Sequence, residues 1–415
     1  TTLEEQRKEI LNKGKKFKYP VQYSKNRLVG NALIIALVIL ITGSWLLWYQ
    51  LYKAQNTGEF IYRFTTVIPF PVANVDGENA LYRDYLMEYR ANMQIANAKK
   101  DEIEGAKSVK ALRDLQLKYA AQGYGVQFSS GFGADEKDVK NNILNIYQSG
   151  LTLGQKDYYL NNDSATIAIR DAYKKYIKQM FVLYGFNEAE AQKRSDEVFR
   201  QETLVALISK SMTELRDPQA NYNKMTLAEV KEDYPNIPIE QLANAERIKS
   251  SYIQKMIVGQ PAFMTGLDKL MSLQTADDIK ALMEWDVICS SANYLTDAIR
   301  EANFDFFGKT MSGRKEDYPL WKRATNQVEA QMGEALGRIY AKRYFPESSK
   351  KMMMDLVKNL QVSLGQRIDA QTWMSDSTKA NAHAKLNRFY VKIGYPNKWI
   401  DYSKLTIDPT KSYYE

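Results

Sequence analysis

Residues 164–208 read SATIAIRDAYKKYIKQMFVLYGFNEAEAQKRSDEVFRQETLVALI, and this stretch indicates the fold class most directly. Its first half repeats apolar side chains at helical spacing, on one stripe that comprises Ile169, Tyr173, Tyr176, Met180 and Tyr184. Gly185 then favours a helix end. Asn187, with Glu190 three residues later, has the spacing of a capping box that begins a second helix. The sequence therefore predicts two consecutive helices here.

Similar patterns dominate the chain from about residue 101 onward. They predict further helices over Ala276–Arg300, Trp321–Tyr344 and Ser348–Gly365, whereas Gly123–Gly133 (GYGVQFSSGFG) is typical of a short β-hairpin. No repeat with a period of 20–50 residues is visible, which argues against a solenoid. We predict a mostly α fold, with one N-terminal transmembrane helix followed by a large multi-helix lobe that carries a minor β-hairpin.

The composition limits the chemistry that the chain can carry. Of its 415 residues 45% are hydrophobic, which is enough apolar material for a sizeable core. The single cysteine, Cys289, excludes an internal disulfide and a multi-cysteine zinc site. The single histidine is His383, whereas zinc hydrolases usually take at least two histidines and serine or cysteine hydrolases usually need a histidine base. Most of the common hydrolytic machinery is therefore missing from this sequence.

The formal net charge of +8 is concentrated at the N-terminus. Residues 1–27 hold eight Lys or Arg residues against three Glu residues, so the rest of the chain is close to neutral. A nucleic-acid interface needs a concentrated basic face with stacking aromatic residues. We therefore expect no nucleic-acid partner, and we interpret residues 1–27 as a basic cytoplasmic tail.

An uncharged segment follows this tail. Residues 28–52 contain no charged side chain, and about 20 apolar residues suffice to cross the hydrocarbon layer. Trp45, Trp48, Tyr49 and Tyr52 gather at its distal end, as is typical of a membrane interface. A buried core helix would normally show a polar stripe, and a cleaved signal peptide would have a small-residue cleavage site. We predict an uncleaved transmembrane signal-anchor, with the downstream lobe extracytoplasmic.

Residues 53–100 are interpreted as a juxtamembrane linker and helix. The β-rich run Phe60–Phe70 (FIYRFTTVIPF) suggests extended structure, and the turn signal Asp76-Gly77 precedes a helical pattern. Residues 28–94 weakly resemble the anchor and start of SurA-like folding factors. A plain linker helix is the alternative.

Several short patterns could suggest a site, and each has a plainer interpretation. Gly150–Asp157 (GLTLGQKD) lacks the spacing and the Lys-Ser/Thr ending of a phosphate loop, so we expect a glycine-turned loop. Asp135, Glu136 and Asp138 lack the pattern of a calcium loop and are expected at a helix start. The run Met352–Met354 is interpreted as filler on a helix.

The two residues with the most reactive side chains are also interpreted as structural. Cys289 follows the apolar run Trp285-Asp-Val-Ile and is expected to be a small core residue. His383, in KANAHAKLNRF, is expected on a helix surface. We accordingly predict no catalytic, cofactor-binding or metal-binding residue in this chain.

From about residue 101 to 415 the sequence resembles the N-terminal, non-catalytic lobe of neprilysin-like zinc metallopeptidases, the neprilysin/endothelin-converting-enzyme family. Tyr147–Leu160 (YQSGLTLGQKDYYL) is similar to the family's GLxLPxxDYYL segment, and Arg216–Thr226 (RDPQANYNKMT) is similar to its DPxxxYNxMT loop. Further matches follow in the family's order, at Phe307-Gly-Lys, Ser312-Gly, Trp321-Lys-Arg, Gly333–Gly337, Trp373-Met-Ser, Thr378-Lys-Ala, Lys392–Trp399, Tyr402 and Tyr413–Glu415.

The resemblance implies a membrane-anchored ectoenzyme with two mostly helical lobes around a chamber that admits peptides. The zinc of a full-length member would lie in the other lobe, in an H-E-x-x-H helix. This sequence stops at Glu415, before that motif and before the family's substrate-binding Asn-Ala segment, and residues 53–100 look unrelated to the family. We therefore expect a fragment or a fusion, truncated before the zinc site, with no cofactor of its own.

Two functions are compatible with these observations. The first is a membrane-anchored, non-catalytic, chamber-forming lobe of a neprilysin-like zinc metalloendopeptidase, inactive alone. Its partners would be the membrane, peptide substrates bound with the missing catalytic lobe, and further copies of itself through an exposed inner face. The alternative is a membrane-anchored helical peptide-binding or chaperone-like module without catalysis.

Overall fold

The computed structural model describes residues 2–16, 25–53, 59–68, 71–75 and 78–406. The chain divides into two compact units, Thr1–Arg90 and Ala91–Glu415. The predicted turn at Asp76-Gly77 and the motif residues Tyr413–Glu415 lie outside the described residues.

The described residues of the first unit form three helices, a pair of strands and the start of a fourth helix. These elements are α1 (Leu3–Lys16), α2 (Lys25–Trp48, continued by a π-helical turn over Tyr49–Lys53), α3 (Glu59–Val67), β1 (Pro71–Val75), β2 (Glu78–Leu81) and α4 (Tyr82–Gly105), which runs into the second unit. The β1 and β2 strands pair antiparallel.

The second unit contains a long series of helices and a small sheet. Its elements are α5 (Val109–Ala120), β3 (Phe128–Asp135), β4 (Asp138–Gln148), α6 (Asp157–Leu160), α7 (Ser164–Leu183), α8 (Glu188–Ile208), β5 (Lys224–Thr226), α9 (Leu227–Asp233), α10 (Ile239–Ala245), β6 (Lys255–Val258), α11 (Pro261–Leu273), α12 (Ala276–Ser291), α13 (Asp297–Asn303), α14 (Leu320–Tyr344), α15 (Glu347–Asp369) and α16 (Asp376–Leu386). The mostly α fold class is therefore confirmed.

The apolar helix of the first unit matches the predicted anchor in length and composition. Gly30–Leu51 is a helical stretch of 22 residues with a mean hydropathy of 2.2, and no residue of its most apolar window is buried within the structure. A soluble core helix would bury such a surface. By its length and composition, α2 is able to cross a membrane.

The run Phe60–Phe70 was predicted to be extended, and this is wrong for its described part, which forms α3. The Phe60 and Phe64 rings stack with their centroids 6.3 Å apart. Residues four apart in a strand would be separated by about 13 Å, whereas on a helix they are neighbours. The β-branched and aromatic residues of this run favour a strand, but the run is helical in the structure.

The helices of the second unit surround a core that is rich in aromatic residues. The predicted stripe on α7 is buried at Tyr173, Tyr176 and Met180, where it packs with α8 and α12. The Asn187 side chain accepts hydrogen bonds from the backbone N–H groups of Ala189 and Glu190, and Glu190 completes the capping box. Gly185 has a φ of +96°, which favours glycine. The two-helix prediction is confirmed with its caps.

A four-stranded sheet in the order β3-β4-β6-β5 covers a second core cluster. β4 pairs antiparallel with β3 but parallel with β6, with Leu144 opposite Met256, and β5 is antiparallel to β6. The predicted hairpin over Gly123–Gly133 is displaced, because its strands are β3 and β4 and its turn lies at Glu136-Lys137. Asp135 and Asp138 flank that turn, so their predicted place at a helix start is wrong.

The last three helices, α14 to α16, have almost no buried side chains. Of the described residues after 311, only Ala341, Gly365 and Leu386 are buried. Along α15, four apolar residues at four-residue spacing are exposed, and we call them the α15 ridge: Met352 (71% exposed), Leu356 (49%), Leu360 (59%) and Leu364 (46%). Met352–Met354 were interpreted as filler, but all three are exposed. This part of the fold is not covered by the rest of the described chain.

Candidate functional site

A fully buried carboxyl group, that of Glu202 on α8, organises the centre of the second unit. The hydroxyl groups of Tyr159 and Tyr173 each donate a hydrogen bond to Glu202 Oε2 at 2.8 Å. Thr152 Oγ1 donates to Glu202 Oε1 at 2.5 Å. Burial raises the pKa of Glu202, and the three hydroxyl donors oppose this rise because they favour the carboxylate.

Two of the hydroxyl groups around Glu202 also accept hydrogen bonds. Trp285 Nε1 donates to Thr152 Oγ1 at 3.1 Å, and the Leu153 backbone N–H donates to the Tyr159 hydroxyl at 3.1 Å. Thr152, Leu153 and Tyr159 all belong to the YQSGLTLGQKDYYL segment. The network therefore anchors that segment to α7, α8 and α12.

The loop within this segment has the predicted glycine turns. Gly150 and Gly154 have φ values of +92° and +82°, and Gly150 lies close to the backbone of Gln127, which leaves little room for a side chain. The loop connects β4 to α6, and its Thr152 side chain binds Glu202. The prediction of a loop that turns at its glycines is therefore confirmed.

The RDPQANYNKMT segment surrounds a second buried carboxylate, Asp135 at the end of β3. The Tyr222 hydroxyl donates to Asp135 Oδ1 at 2.8 Å, and Lys224 Nζ lies 2.5 Å from Oδ2. The hydrogen bonds from Lys224, Tyr222 and the Lys137 backbone lower the pKa of Asp135 to about 2, although burial opposes them. Asp135 therefore joins the β3–β4 turn to the edge strand β5.

The Lys392–Trp399 segment closes onto α14 and α15. Gly394 has a φ of +69°, and any Cβ there would overlap the Phe345 ring. The Tyr395 and Trp399 rings stack 5.7 Å apart, and Lys350 Nζ donates to the Tyr395 carbonyl at 2.7 Å. These three segments position loops and strands of the second unit.

A cleft of about 350 Å³ opens beside the Glu202 network, and we call it the Asp286 cleft. Its walls include the Tyr119, Tyr124 and Trp285 rings and the side chain of Asp286. Gly125 N donates to Asp286 Oδ2 at 2.7 Å. Burial raises the pKa of Asp286 to about 6, and the bond from Gly125 only partly offsets this rise. The cleft was not predicted, because its walls come from segments far apart in the sequence.

The two residues singled out for their reactivity lie in separate places. Cys289 lines the Asp286 cleft and packs against the aromatic core, where burial raises the pKa of its thiol to about 12. A thiol with this pKa is a poor nucleophile at neutral pH. His383 Nε2 lies 2.7 Å from Asp369 Oδ1, at the junction of α15 and α16, and its side chain is 34% exposed. His383 therefore lies on α16 as a partly exposed side chain, paired with Asp369.

The described residues do not fit a zinc site. Among them, no three His, Cys, Asp or Glu side chains come together in a group that could hold a metal ion. His383 is paired with a single carboxylate, and Cys289 is on a different helix with a raised thiol pKa. Tight zinc sites use three or four convergent ligands. That the whole chain binds no zinc remains a prediction.

The comparisons with known proteins agree with the family resemblance of these three segments. Residues 79–396 match the family model described as peptidase family M13. The chain belongs to peptidase family M13, as the N-terminal lobe of a neprilysin-like member. The match begins before residue 101, so the expectation that all of residues 53–100 are unrelated to the family is wrong for residues 79–100.

Two curated relatives and one solved structure illustrate the similarity. Human neprilysin is 27% identical over 307 residues, which cover 69% of this chain and 40% of neprilysin. Neutral endopeptidase of Lactobacillus helveticus is 28% identical over 293 residues, which cover 70% of this chain and 44% of that protein. Zinc metalloprotease Zmp1 of Mycobacterium tuberculosis, solved with an inhibitor, superposes with a TM-score of 0.72 at 27% identity. That superposition covers 88% of this chain and 56% of Zmp1, so the chain spans about half the length of the proteins that it matches.

Proposed function

We propose that the chain acts as the membrane-anchored, non-catalytic, chamber-forming lobe of a neprilysin-like zinc metalloendopeptidase that cleaves peptides. The observation that carries this proposal is the likeness to Zmp1, which takes in 88% of this chain but only 56% of a zinc metalloprotease. The matched half contains the positioning segments, and its described residues do not fit zinc. A zinc-bearing lobe would then be the partner of this one.

The α15 ridge supports a partner lobe of this kind. Its four apolar side chains extend over about 18 Å of helix at 1.5 Å per residue. On α14, Ile339, Tyr340 and Tyr344 are also more than 60% exposed. Large apolar side chains that are exposed in such numbers usually mark an interface. We assign the α15 ridge to the interface with the zinc-bearing lobe.

In this arrangement the lobe would enclose the substrate without touching the reacting bond. Polarisation of the peptide carbonyl and activation of water would be supplied by zinc bound in the partner lobe. The residues of this chain keep the wall rigid, because the Glu202 and Asp135 networks fix its loops and sheet. A closed wall restricts the chamber to peptides, since a folded protein would not enter.

A chimera with Zmp1 tests this proposal. We expect the chain alone to hold no stoichiometric zinc and to cleave no peptide, since its described residues do not fit a zinc site. Zmp1 whose matched part is replaced by residues 79–396 should bind one zinc per chain and cleave a quenched fluorescent peptide. Metal analysis after dialysis and a fluorescence assay measure both quantities.

Two results would contradict this proposal. The first is one zinc per chain in the isolated protein that survives dialysis and disappears in His383→Ala. The second is a chimera that folds, holds zinc and binds the peptide without cleaving it, which would favour a peptide-binding module. The sequence-matched region of human neprilysin, inserted into Zmp1 in the same way, is the control for the exchange itself.

Membrane topology gives a separate prediction. The basic tail and the apolar helix α2 favour a single span with the lobe outside the cytoplasm. Protease added to intact cells should degrade the chain beyond about residue 60, because only the tail and the span are shielded. Blotting with one tag at each terminus follows the fragments, and a protected C-terminal tag would reverse the orientation.

A further inference from the structure

The described lining of the Asp286 cleft contains acidic side chains and no basic one. Of its described lining residues two carry carboxyl groups, Glu202 and Asp286, and none is a lysine, arginine or histidine. A cleft of about 350 Å³ is large enough for a small organic group. The electrostatic character of this cleft therefore disfavours anions and favours a cation.

Of the two carboxyl groups, only that of Asp286 is available to a ligand. Both oxygens of Glu202 already accept hydrogen bonds from hydroxyl groups. Asp286 Oδ2 accepts one bond, from Gly125 N, and within the described part of the chain Oδ1 has no hydrogen-bond partner and neither oxygen has a cationic one. A partly buried carboxylate without a counter-ion is costly and gains from a cation that enters.

The remaining walls restrict the kind of cation. The Tyr119, Tyr124 and Trp285 rings line the cleft together with Leu151, Leu282 and Met283. The Tyr119 and Tyr124 rings already attract one ammonium group of the chain, since Lys99 Nζ lies 4.1 Å and 4.6 Å from their centroids. Apolar and aromatic walls suit an alkyl stem and a cationic head, whereas the described residues bring together no three His, Cys, Asp or Glu side chains that could hold a metal ion.

We propose that the Asp286 cleft binds an alkylammonium group, with the ammonium head on Asp286 Oδ1 and the stem against the Trp285 and tyrosine rings. The group could belong to a free alkyl amine or to a lysine side chain of a peptide, and both share this chemistry. The site is independent of the partner lobe, because all its walls belong to this chain.

Titration calorimetry of the full chain in detergent with n-butylammonium chloride tests the proposal. Asp286→Asn retains an acceptor for Gly125 N and removes the charge, so the affinity should fall about tenfold or more, as expected when a charged hydrogen bond is lost. Asp268→Asn is the matched control, because Asp268 also accepts a bond from a backbone N–H, that of Asn236, but lies outside the cleft. It should leave the affinity unchanged.

A pH series on the unsubstituted chain provides a second measurement that does not depend on a variant folding. Binding should weaken as the pH falls through about 6, where Asp286 takes up a proton. The other titratable groups that line the cleft are Glu202, Cys289 and the two tyrosines, and Lys99 lies against the two tyrosine rings. Of these groups only Glu202 is a second carboxyl group, and its pKa is also raised, so the pH series is repeated on Asp286→Asn. A pH response that is lost in Asp286→Asn supports the proposal, and one that survives unchanged would overturn it, because Asp286 would then not be the group that binds the cation.

A capped peptide with lysine, compared with the same peptide with norleucine, distinguishes the two sources. Preference for the lysine peptide identifies a peptide side chain as the ligand, and binding of n-butylammonium without the peptide identifies a free amine. Absence of n-butylammonium binding at millimolar concentration, or equal binding by Asp286→Asn, would overturn the proposal.

Discussion

Glu202→Ala is expected to lower the free energy of unfolding of the lobe by about 3–5 kcal/mol, because three buried hydroxyl donors lose their acceptor at once. The substitution leaves the hydroxyl groups of Thr152, Tyr159 and Tyr173 without their acceptor in a dry interior. Each buried donor that loses its partner costs about 1–3 kcal/mol, and the missing side chain adds a cavity. Urea unfolding followed by circular dichroism measures the change.

Two control substitutions test whether the loss of stability comes from the hydrogen bonds to Glu202 or from any change to a glutamate on a helix. Glu202→Gln keeps the shape and one carbonyl acceptor, so it should cost roughly 1–2 kcal/mol, the cost of about one lost hydrogen bond. Glu232→Ala changes an exposed glutamate of α9 and should cost less than about 0.5 kcal/mol. If Glu202→Ala behaved like Glu232→Ala, the network would not stabilise the core.

The second large effect concerns the α15 ridge. Residues 91–415, a compact unit with its own aromatic core, should associate at micromolar concentration and bind a hydrophobic dye, because the ridge lies in water. Leu356→Lys with Leu360→Lys should make the unit monomeric and reduce dye binding several-fold. Sedimentation velocity and fluorescence of the dye ANS measure these quantities.

The matched control adds the same charge elsewhere. Ala168→Lys with Gln179→Lys places two lysines at exposed positions of α7, so any effect of net charge alone appears in both double variants. We expect the control to associate like the unsubstituted unit. A unit that is monomeric and binds no dye without any substitution would show that the face needs no partner.

The long helices could be predicted from the sequence because their signals are local. Asn187, Glu190 and Gly185 lie beside the residues whose backbone they cap, and the stripe on α7 repeats within five turns. The sheet could not be predicted in the same way. β5 and β6 have only three and four residues, and their partners lie far away in the chain, so no window of sequence contains the pattern.

The candidate sites were likewise predictable from the sequence only in part. The three segments that resemble the neprilysin-like family were recognised from their sequence motifs. The motifs do not show that the Tyr159 and Tyr222 hydroxyls donate hydrogen bonds to buried carboxyl groups. Glu202 was missed even though it lies next to the apolar run that ends α8; a glutamate on the buried side of that helix was the available signal. Asp286 offered no signal, because its neighbour Gly125 is distant in sequence.

The parallel pairing of β4 with β6 also affects how the protein can be made. Leu144 and Met256 are about 110 residues apart, so their contact closes a long loop, and such contacts form slowly. During synthesis β4 leaves the ribosome long before β6, while the apolar helix α2 has already emerged. The β3–β4 hairpin must therefore wait with one edge open, and assistance from a chaperone at this stage should improve the yield of folded protein.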